Sequence, residues 1–317
     1  MNFVFLMDPL PAIKIKKDTT FILMLEAYRR KHDIYHLAEG SMTLENGRGI
    51  FKVTKIIPQK NEKKPFIIKK EALLTEKEID ILFIRTDPPF DEEYLIQTWL
   101  LERFRNQIPM LNDPAGIRTV NEKIWVSQFT SVIPKTLISR QKERILRFIQ
   151  QEKDVILKPT GQFGGCSIFH VRQGHENTKV AVETLSRNYT QDIVVQKYIP
   201  EAKKGDKRIL LLNGEPLGAV LRVHPPDDHR NNFFAGGHPA KTVINKNDYR
   251  IIELLRPHLR RLGLCFTGID IIGEHLIEVN VTSPTCLQEM NKLYHLRLEK
   301  KVIDFAENLA VNFTRKK

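Results

Sequence analysis

The chain is poor in cysteine and has no long hydrophobic run. Cys166, Cys265 and Cys286 are the only thiols in 317 residues, and they lie far apart. An odd, dispersed set provides neither a disulfide framework nor a paired-thiolate metal knuckle, and a reducing compartment is the expectation. No apolar stretch approaches the roughly 20 residues that span a bilayer. The opening MNFVFLMDP runs apolar from Phe3 to Met7 and then meets Asp8-Pro9. That is short of a signal-peptide core and lacks a basic leader. These absences set the expectation of a cytoplasmic protein with no membrane partner. Internal repeats and low-complexity segments are missing as well.

What is present is the composition of an ordinary globular protein, with 41% apolar and 28% charged residues. That excludes fibrous, collagen-like and wholly disordered chains. At about 150 residues per domain, the length suggests two domains, enough to bury a core without covalent staples. Lys and Arg number 50 against 38 Asp and Glu, a net charge of +12. The excess favours anionic partners without choosing among nucleic acid, membrane surface and small phosphates. The basic residues are scattered, with no aromatic-flanked stretch resembling a single-strand platform, so nucleic acid is not the expected partner.

The first third alternates strand and helix signals. Residues 2–7 read as a buried strand. Asp18 is placed to cap a helix over about 19–31 with Phe21, Ile22, Leu25 and Tyr28 as its apolar stripe. Ile79–Ile84 reads as a strand, followed by a helix over about 91–105 and a short strand at 108–111. Such alternation implies an open, mainly parallel α/β sheet. Ligands bind beyond the carboxyl ends of strands in such sheets, where Met7-Asp8-Pro9 and Arg85-Thr86-Asp87 fall. Residues 41–78 are polar and Lys-rich and read as an exposed hairpin or excursion. After about residue 120 the pattern becomes α+β. Strands are expected near 136–138, 155–158, 167–171, 193–198, 208–212, 217–223, 266–272 and 276–282. Helices are expected near 140–151, 176–187, 247–262 and 296–312. Asn213-Gly214 between apolar runs is a hairpin signal.

Four segments of the second part carry chemistry. In TGIDIIGEHLIEVNVTSPT, residues 267–285, a three-residue turn at Gly273-Glu274-His275 sets Asp270 opposite Glu278, with Ile271–Ile277 and Ile269–Val279 paired on the other face. Facing carboxylates repel unless something lies between them. With Asn280 they offer only oxygen, which suits Mg²⁺ rather than zinc or copper; a solvent-facing polar side or another register is the alternative. VILKPTGQFGGCSIF, residues 155–169, delivers Lys158 from an apolar strand into a loop with Gly161, Gly164 and Gly165. Glycines admit close backbone approach to phosphate, the order is not that of a Walker loop, and a strand lysine calls for an anion. GDKR, residues 205–208, opens a strand with Asp206, Lys207 and Arg208. Arg230, Asn232, Gly236 and Gly237 mark a long loop with the character of a lid. Each segment alone also reads as a solvated loop. Together they suit Mg-nucleotide phosphoryl transfer. Cys166 reads as small loop filler, since nothing nearby marks it as an activated thiolate.

These segments resemble the ATP-grasp superfamily, and within it the prokaryotic glutathione synthetases. The matching pieces are MDP (7–9), IKKD (15–18), DPPFD (87–91), NEK (121–123), ILKP (156–159), GGCSIF (164–169), GDKR (205–208), AGG (235–237), GIDIIG (268–273) and EVNVTSPTC (278–286). The resemblance implies an N-terminal α/β substrate domain over 1–121 and an ATP-grasp domain with antiparallel sheets over 122–313, including a lid subdomain at about 130–200. It implies an ATP-dependent ligase that joins γ-glutamylcysteine to glycine through an acyl phosphate, using Mg²⁺ or Mn²⁺ and assembling as a homotetramer. By the same resemblance, Lys123, Lys158, Gly164, Gly165, Asp206 and Lys207 hold ATP, and Gln196, Lys197, Tyr198 and Ile199 form the adenine hinge. Asp270, Glu278 and Asn280 hold the metal, and Arg208 stabilises the reacting oxyanion. Asp8, Asp18, Arg230, Gly236, Gly237, Ser283 and Thr285 shape the peptide and amine sites. Another ATP-grasp carboxylate–amine ligase, D-alanine ligase-like or amino-acid-adding, is the near alternative.

Overall fold

A computed structural model describes residues 1–162, 164–224 and 237–315. The N-terminal part supplies strands β1 (Asn2–Leu6), β2 (Asp33–Glu45), β3 (Arg48–Pro58), β4 (Phe66–Thr75), β5 (Ile81–Ile84) and β6 (Met110–Leu111), and helices α1 (Thr19–Arg29), α2 (Glu92–Glu102) and α3 (Pro114–Thr119). They form one six-stranded sheet in the order β4-β3-β2-β1-β5-β6. The β2-β1-β5-β6 portion is parallel, as expected, and β3 and β4 extend it antiparallel.

Residues 41–78 are therefore no mere excursion. These strands bury Phe51, Val53, Ile56 and Leu74 and leave Lys69 and Lys70 exposed, with a register shift at Lys55/Ile56. The apolar stripe of α1 also differs from expectation. Phe21, Leu23, Met24 and Ala27 are buried, and Tyr28 is 40% exposed. Apolar side chains occur all round this helix, which is packed by β2 and β3 as well as by the last helix of the chain, so one stripe does not define its inner face. Asp18 caps it as expected, accepting from the Phe21 N–H at 2.5 Å.

The C-terminal part contains two antiparallel sheets. β7 (Thr136–Ser139), β8 (Asp154–Pro159), β9 (Phe169–Arg172) and β10 (Ile193–Lys197) pair in the order β7-β10-β8-β9, with helices α4 (Lys142–Glu152) and α5 (Thr178–Leu185). β11 (Asp206–Leu212), β12 (Glu215–Val223), β13 (His238–Ala240), β14 (Phe266–Ile272) and β15 (His275–Asn280) pair as β13-β12-β11-β14-β15, with α6 (Lys246–Arg261), α7 (Leu287–Tyr294) and α8 (Leu298–Thr314). The four-stranded sheet has its own core around Ile145, Leu157, Val182 and Val195. The five-stranded sheet shares two cores with the N-terminal sheet. One joins Val4 and Leu82 to Ile209, Ile251 and Ile269, and the other joins Phe3 and Phe83 to Leu210, Leu287 and Val302. Buried Asn112 fastens the junction, donating to the carbonyls of Phe266 and Val281 at 2.8 and 2.9 Å and accepting from the Phe266 N–H at 2.7 Å.

The β14–β15 hairpin pairs Asp270 with Glu278 and Ile269 with Val279, as expected, but its turn holds two residues rather than three. Ile272 faces His275, and a bulge beside Ile271 pairs it with Leu276 instead of Ile277. One extra residue in a bulge exchanges the faces locally. Leu276 thus enters the core with Val279 and Val281, and Ile277 turns toward the cleft with Glu278 and Asn280.

Candidate active site

The three sheets meet at a cleft whose cavity volume is about 210 Å³. The strand ends explain its lining. β8 brings Lys158, β10 and its exit bring Gln196, Lys197, Tyr198 and Ile199, β11 brings Asp206 and Arg208, and β14 and β15 bring Asp270, Glu278 and Asn280. Lys123, Gly164, Gly165, Ser283 and Thr285 complete the expected residues found there. Gly164 and Gly165 take φ values of 64° and 74°, left-handed backbone that favours glycine.

Lys158 is buried and donates to Gln196 Oε1 at 2.9 Å, and Gln196 in turn donates to the Thr136 hydroxyl at 2.9 Å. Burial pulls the Lys158 ammonium down from 10.5 to about 8, against the pull of Glu278. Lys123 reaches Glu278 at 3.0 Å and the Gln162 carbonyl at 2.6 Å. Burial works to lower its pKa, but the Glu278 carboxylate prevails and raises it. Buried Arg208 makes a two-pronged contact with Asp270. Arg222 joins the same carboxylate at 2.8 Å and grips Asp206 at 2.6 and 2.8 Å. Burial alone would raise Asp270; the two guanidiniums hold it well below the usual carboxylate range. Asn280 Nδ2 lies 3.4 Å from Asp270 Oδ2, so the carboxylate pair and the amide converge. Each of the facing carboxylates has its own basic partner, Arg208 and Arg222 for Asp270 and Lys123 for Glu278.

The remaining expected residues fall elsewhere. Lys207 is on the opposite face of β11 from Asp206 and Arg208. Its ammonium binds buried Asp248 at 2.5 Å and the Val243 carbonyl at 3.0 Å, so the structure does not bring it to the cleft. Strand alternation requires this of any residue between two inward neighbours. Asp8 and Asp18 stand behind the lining. Asp8 Oδ2 accepts from the Asp87 N–H at 2.9 Å, and burial pushes the Asp18 carboxyl up to about 6, although the Phe21 N–H and Arg85 oppose the rise. Gly237 is not in the lining. Arg230, Asn232 and Gly236, which mark the loop read as a lid, lie outside the described residues.

Three charged lining residues lie outside the expected site set: Glu122, Asp87 and Arg222. Glu122 accepts from the Val281 N–H and the Thr282 hydroxyl at 3.0 and 3.2 Å; its place beside Lys123 in the NEK motif is the one sequence signal for it. Asp87 falls in the expected ligand crevice and opens the DPPFD piece, but sequence alone assigns it no role of its own. Arg222 was hidden by register. A two-residue turn alone would set Leu221 opposite Asp206, and a bulge at Leu210/Leu211 moves the partner to Arg222.

A cleft with a buried lysine beside a half-buried one, two buried arginines and facing oxygen donors on antiparallel sheets is equipped to hold a polyphosphate and to offset charge at a reacting carboxylate. The family models for the N-terminal domain and the ATP-grasp domain of prokaryotic glutathione synthetase match residues 1–118 and 122–295. The chain belongs to the prokaryotic glutathione synthetase family. Glutathione synthetase of Vibrio cholerae is 37% identical over 304 residues, covering 95% of each chain. That of Escherichia coli is 36% identical over 303 residues, covering 95% of this chain and 96% of the relative. Among solved structures, a D-cycloserine synthetase superposes with a TM-score of 0.66 at 12% identity, over 97% of this chain and 99% of the other. D-alanyl-alanine synthetase A of Vibrio cholerae gives 0.61 at 13%, over 98% of each. These distant likenesses speak for the fold. Among the described residues, no helix is long and apolar enough to cross a membrane.

Proposed function

We propose that this chain is an ATP-dependent carboxylate–amine ligase that forms glutathione from γ-glutamylcysteine and glycine. The observation that carries the reading is the convergence of Lys123, Lys158 and Arg208 with Asp270, Glu278 and Asn280 in one cleft, inside a chain of this family. The N-terminal sheet over 1–121 serves the peptide and amine, and 122–313, with its lid at about 130–200, serves the nucleotide.

In this reading Gln196, Lys197, Tyr198 and Ile199 hold adenine through the backbone, and Lys123, Lys158 and the Gly164-Gly165 amides hold phosphates. Asp206 keeps Arg222 oriented at the same wall. The donor set of Asp270, Glu278 and Asn280 is all oxygen, which fits Mg²⁺, with Mn²⁺ as the alternative of the same hard class. When bound there, the ion neutralises charge on the triphosphate. A free carboxylate is a poor electrophile, so the cysteinyl carboxylate first takes the γ-phosphoryl group of ATP, giving an acyl phosphate and ADP. The neutral amine of glycine attacks the acyl carbon and phosphate leaves with the carboxylate oxygen that formed the anhydride. Arg208 stabilises the oxyanion, and Gly164 and Gly165 stand at the side from which water that would hydrolyse the acyl phosphate must be kept out. No side-chain nucleophile is required. A homotetramer in the cytoplasm completes the proposal, with sedimentation velocity as the check on assembly.

The purified chain, given Mg-ATP, γ-glutamylcysteine and glycine, is expected to release phosphate and yield glutathione identified by mass. Release equal in size when D-alanine replaces both substrates would overturn the substrate assignment.

A further inference from the structure

Five carboxylates line the cleft: Asp87, Glu122, Asp206, Asp270 and Glu278. Three carry ion pairs, Asp206 with Arg222, Asp270 with Arg208 and Arg222, and Glu278 with Lys123. Glu122 is occupied by an amide and a hydroxyl of the β15 exit. Asp87 has no ion pair among the described residues and takes a hydrogen bond from the Ser283 side chain. The cation nearest in sequence, Arg85, is committed elsewhere: it is buried and donates to the Thr20 hydroxyl at 3.0 Å and the Pro284 carbonyl at 2.9 Å. Asp8 adds a second negative charge behind Asp87, accepting from its backbone N–H.

Asp87 is exposed at the cleft wall, and a carboxylate that faces a cleft, is backed by another and lacks a countercharge draws a ligand cation by electrostatic complementarity. The two co-substrates that join each bring one ammonium. That of glycine must lose its proton before attack, and a standing negative field would hold the proton on. That of the γ-glutamyl group stays charged throughout the reaction. Asp87 also stands at the carboxyl end of β5, on the wall supplied by the N-terminal sheet, whereas the metal donors and Arg208 stand on the C-terminal sheet. A peptide with its cysteinyl carboxylate at Arg208 would extend its other end toward that wall.

We propose that Asp87 pairs with the α-ammonium of the γ-glutamyl group and so selects γ-glutamyl peptides over analogues that lack this amine. The inference rests on the ligase reading above.

The test compares γ-glutamylcysteine with glutarylcysteine, its counterpart without the amine, as substrates of the full chain. The wild type is expected to show a KM for the des-amino peptide about 30-fold or more above that for γ-glutamylcysteine, in keeping with loss of a desolvated charge pair. Asp87→Asn is expected to raise the γ-glutamylcysteine KM to the des-amino level and abolish the discrimination. KM for ATP and for glycine should stay within about threefold, which also certifies the fold of the variant, and Asp87→Glu should restore part of the preference. An Asp87→Asn enzyme that still favours the amino peptide would overturn the proposal, as would a KM increase that falls on glycine instead. A wild type that forms no glutathione at all would be a distinct result: it would remove the ligase reading, and this one with it.

Discussion

Single residues in this cleft are tuned by their neighbours. Glu278 faces Asp270 across the hairpin and bonds Lys123, so the carboxylate proposed for the metal also holds a lysine. Glu278→Gln keeps the shape and removes the charge. Turnover should fall by about 100-fold or more, with the melting temperature within a few degrees of wild type; retained turnover would remove the metal assignment. Lys158 gives a pH signature. Burial lowers it from 10.5 to about 8, so below that value it is a cation fit for phosphate and above it a neutral amine. The profile of kcat/KM for ATP, which reports the free enzyme, should therefore decline as pH rises past about 8. Lys158→Arg, whose guanidinium stays charged, should lack that decline if it retains turnover. A wild-type profile flat to well above this range would contradict the burial argument.

At the scale of elements, what matters is which face a strand presents. β11 turns Asp206 and Arg208 into the cleft and Lys207 onto α6, where Asp248 is fully buried. Lys207→Met should leave that carboxylate unpaired, at a loss of about 3 kcal/mol in unfolding free energy, read by denaturant titration. KM for ATP should move less than about threefold; a large rise would return Lys207 to the phosphate site. The sequence motif grouped GDKR as one unit, and only the two-residue period of the strand divides it. Much else about these elements was legible. Parallel and antiparallel regions followed from the order of apolar runs and turn signals, Asp18 declared the start of α1, and the Asp270–Glu278 pairing followed from alternation. Bulges were not legible. Those at Ile271 and Leu210 shift a register by one residue, exchange Leu276 with Ile277 and hide Arg222, because a bulge is settled by packing on the sheet rather than by a local residue signal. Helix α7 and the short α3 were missed for want of length.

Across the whole molecule, the N-terminal and five-stranded sheets share two cores while the four-stranded sheet keeps its own. The cleft walls therefore differ in attachment. The one bearing Asp87, Arg208, Asp270 and Glu278 rests on a shared base, and the one bearing Lys158 and Gln196 stands on a separate sheet. Polar ties reinforce the base: Arg30, at the end of α1, pairs with Asp304 and Glu307 of α8, and Gln288 donates to the Ile15 and Asp18 carbonyls. That arrangement suits a reaction whose reacting carboxylate must stay fixed while the nucleotide enters and leaves. The central claim is that ATP activates the cysteinyl carboxylate as an acyl phosphate. Labelling both oxygens of that carboxylate with ¹⁸O and analysing the released phosphate by mass tests it most directly. The account predicts one ¹⁸O atom in each phosphate; phosphate free of label, formed alongside glutathione, would contradict it.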